Sequence, residues 1–204
     1  MAMTTYAELS TSVAGYLART DLTDQIPDFI SMAELRMQRE LRIRQMLKSV
    51  TLTATGGSNL LALPLDFIQV RDLVVVGNPV TPLNFYAPSA LSRNTRTSQS
   101  GKPLDYTLLA DNFQLSPIPD SDYSLELLYY AKPPVLSDTN ASNIFMSTVP
   151  DMLLYATLLE AEPWLMNDAR VSTWVSLYER ASISVTKSDE TGQYSGVPLA
   201  IKVI

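Results

Sequence analysis

Residues 26–59 read IPDFISMAELRMQRELRIRQMLKSVTLTATGGSN, and the hydrophobic period changes inside them. Through Ile26, Phe29, Ile30, Ala33, Met37 and Leu41 the apolar residues recur at steps of three and four, the spacing of one buried helix face. From Ser49 the step is two. Val50, Leu52 and Ala54 alternate with Thr51, Thr53 and Thr55, until Gly56-Gly57-Ser58-Asn59 supplies a turn. The spacing predicts a helix from a cap at Thr23 or Asp24, with Pro27 tolerated in its first turn, to about Met46. A second stripe, Met32, Leu35, Ile43 and Met46, lies about 140° round the same helix at 100° per residue. Two readings are open: a helix buried between two layers of its own domain, or one stripe on the home core and the other on a neighbouring subunit.

Outward from this switch, helices are predicted at both chain ends and strands between them. Thr4 or Thr5 caps a first helix with Tyr6, Leu9, Val13 and Leu17 on one face. Strands are predicted at 60–63, 68–76, 105–109, 113–116 and 124–131, with Asp111-Asn112 as a hairpin turn and Pro133-Pro134 as a stop. Residues 88–93 form a short helix, 94–103 a polar loop, and 135–147 a second loop. Thr148 with Asp151 fits a capping box, and Pro150 suits a first turn. Residues 152–161 are apolar almost all round, as in a fully buried helix, and Pro163 ends them. Asp168 caps a last helix whose face reads Val171, Trp174, Val175, Tyr178, Ala181 and Val185.

The expected fold class is α+β: helical hairpins from both chain ends packed as a helical domain, with an inserted antiparallel β-domain and an extended C-terminal arm. The domains are 1–48 with 148–187 (helical), 49–147 (β with loops) and 188–204 (arm). In the arm, Gly192, Gly196 and Pro198 argue against helix, while Val197, Leu199, Ile201 and Val203 alternate like a strand. An apolar strand left in water recruits partners. It either pairs with its own sheet or docks on another chain by strand addition.

Composition narrows the chemistry. The 204 residues carry a net charge of −6, with 46% hydrophobic and 18% charged residues, as in an ordinary soluble globular protein. There is no histidine and no cysteine. A Ser-His-Asp triad, a His base, a thiolate nucleophile, a disulfide and a thiolate zinc site are therefore excluded. The first six residues lack the basic start of a signal peptide, and the most apolar stretch, 152–159, is far short of the about 20 residues a spanning helix needs. Gly101-Lys102 ends like a phosphate-binding loop, but Arg96 stands where the first glycine belongs and Pro103 replaces Ser or Thr. Asp120 and Asp122 read as turn residues, Glu160 and Glu162 point to different sides of a helix, and Asn140-Ala141-Ser142 is a chance sequon. No cofactor and no metal are expected, and no enzymatic activity.

Charge is unevenly placed. Five of the 15 basic residues, Arg36, Arg39, Arg42, Arg44 and Lys48, fall within 13 positions. Residues 103–170 hold ten acids against Lys132 and Arg170. The basics are spread round the predicted helix, with Arg36, Glu40 and Arg44 as an i, i+4 ladder, so the pattern disfavours sequence-specific DNA binding. A basic helix against an acidic remainder suits contacts between subunits or domains.

Several stretches resemble a known family. Leu63-Pro64-Leu65-Asp66-Phe67, Val70-Arg71-Asp72-Leu73, Pro82-Leu83 and Tyr86-Ala87-Pro88 look like the middle of bacteriophage head-to-tail adaptor (connector) proteins of short-tailed phages. So do Phe113-Gln114-Leu115-Ser116-Pro117-Ile118-Pro119-Asp120, Tyr129-Tyr130-Ala131-Lys132-Pro133-Pro134 and Leu136-Ser137-Asp138, with residues 150–162, Trp174 and Tyr178 completing the series. The resemblance covers roughly residues 5–187. It implies a structural virion protein, a homo-oligomer ring, commonly of twelve copies, between portal protein and tail nozzle protein. The channel would conduct DNA without sequence-specific binding, the protein would contact no membrane, and it would sit in the head–tail neck after assembly in the host cytoplasm. On this reading Tyr194, Val197, Leu199, Ile201 and Val203 form a portal-binding arm. Met32, Leu35, Arg36, Arg39, Arg42 and Arg44 lie at or near subunit contacts. The alternative function is a binding module whose β-domain holds a glycan or peptide on Phe85, Tyr86, Tyr106 and Tyr123. A carboxylate-based hydrolase would need two facing acids in a cleft.

Overall fold

Along the chain run α1 (Tyr6–Leu17), α2 (Ile26–Glu40), β1 (Leu47–Ala54), β2 (Leu60–Ala62), β3 (Phe67–Val75), β4 (Thr81–Pro82), β5 (Asn84–Phe85) and α3 (Pro88–Leu91). They are followed by β6 (Asp105–Leu109), β7 (Asn112–Ser116), β8 (Tyr123–Ala131), α4 (Ile144–Thr148), α5 (Pro150–Glu160), α6 (Glu162–Leu165) and α7 (Val171–Tyr194). This computed structural model describes residues 3–19, 21–93, 95–165 and 169–194. The fold is α+β, and the chain divides into two units, Met1–Met46 with Pro133–Ile204 and Leu47–Lys132.

In the helical unit α5 is the hub. Seven of its eleven residues are buried, which its nearly uniform apolarity requires, and α1, α2 and α7 all pack on it. Thr5 caps α1 in a reciprocal box with Glu8, and Leu9, Val13 and Leu17 are buried as their spacing predicts. From α2, Ile26, Phe29, Ile30, Ala33 and Met37 enter the core. Trp174 and Tyr178 do so from α7.

The β unit has two four-stranded sheets, ordered β1-β8-β3-β4 and β2-β7-β6-β5, antiparallel except for the short β5–β6 pair. They share one core that includes Leu73, Val75, Tyr106, Phe113, Leu127 and Tyr129. Phe67, Val70 and Leu73 are three residues apart, a step that would send alternate side chains outward in a regular strand. Two register shifts in β3, between Phe67 and Gln69 and between Val70 and Asp72, keep all three against the core.

Five local readings of the sequence need correction. Helix α2 stops at Glu40, with Leu41 extended at φ −93° and ψ 140°. Arg42 donates to the carbonyls of Gln38 at 2.8 Å and Leu41 at 2.6 Å, satisfying acceptors that a continuing helix would use. Ile43 and Met46 are buried from this irregular segment and form no second helical stripe. Residues 133–147 belong with the helical unit and contain α4, capped by the Asn143 side chain on the N–H groups of Phe145 and Met146. Because Thr148 is the last residue of α4, it cannot cap α5, whose N-cap is Val149 with no side-chain bond. The β6–β7 turn is Ala110-Asp111, one residue earlier than predicted, with Ala110 at φ 51°. Finally, α7 continues through Gly192 to Tyr194, beyond the arm boundary predicted at 188.

Candidate functional site

The residues predicted to make subunit contacts lie in the helical unit. What matters is which of its charges are used internally and which are left over. Arg36 of α2 pairs with Glu160 of α5 at 2.6 Å. Glu40, at the end of α2, accepts a hydrogen bond from the Tyr178 hydroxyl of α7. Burial, followed by the Glu40 hydrogen bond, pushes the Tyr178 phenol well above its ordinary range. Helices α2, α5 and α7 are thus pinned by polar contacts as well as by their apolar faces.

Arg44 makes a second set. Its backbone N–H donates to Asp189 at 2.9 Å, its Nε to the same carboxylate oxygen at 3.2 Å, and its guanidinium to the Gly192 carbonyl at 3.2 Å. Asp189 is only 7% exposed, so these bonds and the Gln193 amide at 2.9 Å satisfy an otherwise buried carboxylate. A Cβ at position 192 would stand 2.6 Å from the Arg44 guanidinium. The absence of a Cβ lets the Arg44 guanidinium lie directly against the helix, and α7 runs on through Gly192 to Tyr194.

Glu34 is the third. It is buried on α2 and accepts the Leu136 N–H at 3.2 Å and the Asn143 side-chain amide at 2.6 Å. No cation is paired with it among the described residues. Burial pushes its pKa up against the pull of those two donors. The sequence held the signal: Glu34 follows Ile30 by four residues, inside the apolar stripe, and Asn143 precedes a helical turn as an N-cap.

The predicted contact residues consequently divide. Arg36, Arg42 and Arg44 are engaged within the unit. Met32 and Leu35 are about half exposed, at 48% and 50%, and Arg39 lies outward beside them with no ion pair among the described residues. A face the sequence reading overlooked lies on α7, where Val175, Glu179 and Ile183 are exposed at steps of four, opposite in character to the buried Trp174 and Tyr178. Of the predicted arm, Tyr194 closes α7, and its side chain and all of Val197, Leu199, Ile201 and Val203 lie outside the described residues.

The aromatics proposed for a ligand do not act together. Tyr106 is buried edge-on between Phe85 and Phe113, and the Tyr123 hydroxyl donates to Asp120 at 2.7 Å. Only Phe85 and Tyr86 are exposed. Asp122 accepts the Gly56 N–H at 2.9 Å, so both turn aspartates serve the local backbone or a near neighbour. No helix among the described residues is long and apolar enough to cross a membrane.

In comparison with known families, the model described as SU10 adaptor protein matches the chain over residues 4–201. The chain belongs to the SU10 adaptor protein family. This is a phage head-to-tail adaptor family, so the adaptor is a structural protein of the virion neck, associated with portal and tail components, and its family is not a known enzyme class. No curated protein matches it.

Proposed function

We propose that the adaptor works as a closed ring, of twelve copies, seated between portal protein and tail nozzle protein, with DNA passing its channel without sequence readout. The observation that carries this reading is a family match spanning both units, from residue 4 to residue 201. The net charge of −6 suits a conduit that must release its DNA, since sequence-independent retention rests on Lys and Arg neutralising phosphates. Copies assemble in the host cytoplasm onto portal-bearing heads. Met32, Leu35 and Arg39 are the outward part of the subunit contact, and Arg36, Arg42 and Arg44 brace the same region from inside.

Residues 195–204, with Tyr194 at their root, dock on the portal by strand addition through Val197, Leu199, Ile201 and Val203. Deleting 195–204 leaves α7 whole and is expected to abolish addition of the adaptor to portal-bearing heads. Addition at the wild-type level would overturn the role given to the arm.

A further inference from the structure

We propose that the outward face of α2 on one copy docks on the outward face of α7 on the next, through Leu35 against Ile183 and Arg39 against Glu179. The inference rests on the ring reading and supplies its two surfaces. Each face carries apolar side chains that its own unit leaves in water: Met32 and Leu35 on α2, Val175 and Ile183 on α7, with Ile183 the most exposed of the four at 69%. Each also carries a charge with no ion pair among the described residues, and the signs are opposite.

The spacing matches as well. Leu35 and Arg39 are four residues apart, as are Glu179 and Ile183, about 6 Å in either helix at 1.5 Å per residue. With the two helices antiparallel, Arg39 opposite Glu179 sets Leu35 opposite Ile183. Two different faces of the same chain meeting head to tail form a heterologous contact, the kind that closes into a ring when the rotation per copy allows. A copy binding through one face only would leave the other exposed. The opposite charges fix register and direction, and the apolar pair supplies the buried area.

Because the chain has no cysteine, engineered thiols report this contact without background. Leu35→Cys/Ile183→Cys is built into phage particles, treated with a short dimaleimide, and run on a denaturing gel beside particles of each single variant. The expected result is a ladder of dimers and higher oligomers from the double variant and monomers from each single one. Dimers from Leu35→Cys alone would overturn the proposal in favour of a symmetric contact. An uncross-linked double variant would also overturn it. Glutaraldehyde treatment of the same particles separates the two levels of the argument: a ladder there with none from the thiols refutes these surfaces and keeps the ring, and no ladder in either refutes the ring. As a second readout, Arg39→Glu should lower adaptor incorporation into heads about tenfold, and adding Glu179→Arg should restore it to within about twofold. No recovery in the doubly reversed chain would count against the pairing.

Discussion

The helical and β units keep their shapes by different means. The β unit is centred on an aromatic cluster: Phe113 lies edge-on to both Phe67 and Tyr106, Phe67 stacks on Tyr129 at 5.8 Å, and all sit in one core between two sheets. Its polar pins are Asp66, which accepts from Lys48 at 2.7 Å and from the Tyr129 hydroxyl at 2.8 Å, and the fully buried Asp105, which accepts from Asn84 at 3.2 Å and pairs with Arg96 at 3.4 Å. In the helical unit carboxylates instead link helices to one another and to the segments between them. Glu34, Asp189 and the Glu40–Tyr178 pair tie α2, α4 and α7 together, while apolar residues of α2 and α7 are left outside. Apolar contact is tolerant of small displacements, and buried hydrogen-bonded charge is not. In the helical unit, which carries the proposed subunit faces, such charge joins one helix to another and so fixes their register.

Three changes probe this contrast, in decreasing order of effect. Phe113→Ala removes the ring at the centre of the aromatic cluster and should destabilise the β unit by about 3–5 kcal/mol. Hydrogen exchange should then rise across residues 47–132 with that of α2 and α5 unchanged. Equal loss of protection in both units would show that they do not hold their structures separately.

Glu34→Gln tests the polar side. Because burial holds the folded-state pKa of Glu34 above the ordinary 4.5, protonation favours the folded form. The stabilisation is complete below 4.5 and is lost as pH rises through the folded-state value. Between pH 7.5 and 4.5 the wild-type melting temperature should therefore climb relative to that of Glu34→Gln, which cannot titrate. A constant difference across that range would remove the carboxylate from the account.

The smallest effect is expected at the β6–β7 turn. Ala110 holds φ at 51°, where a Cβ costs about 1 kcal/mol, so Ala110→Gly should stabilise the β unit by up to that amount in urea unfolding. A loss of stability would mean that the turn gains more from alanine than its backbone costs.

The sequence made the fold class legible because its periods are clean: α1, α5 and most strands appear where the spacing predicts them, and the switch near Ser49 marks β1. It misled where one residue type serves two purposes. Leu41-Arg42-Ile43-Arg44 already alternates by two, with Leu41 and Ile43 buried, but the strong stripe before it made the segment look helical. Gly192 reads as a breaker until Arg44 is seen lying against it. The i, i+4 ladder of Arg36, Glu40 and Arg44 resembles a self-satisfied surface, whereas each member bonds a residue more than a hundred positions away. For the candidate site, Met32, Leu35 and Arg39 could be found from the second stripe. The α7 face could not, because Val175 falls beside the buried Trp174 in the linear pattern and only packing separates the two.

The most direct measurement of the central claim is a cryo-EM reconstruction of the phage neck. It should show twelve copies of this chain in one ring between portal and tail, with α2 of each copy against α7 of its neighbour and residues 195–204 on the portal. A neck in which this chain is absent from the portal–tail junction, or sits there as separate copies that do not touch, would contradict the account.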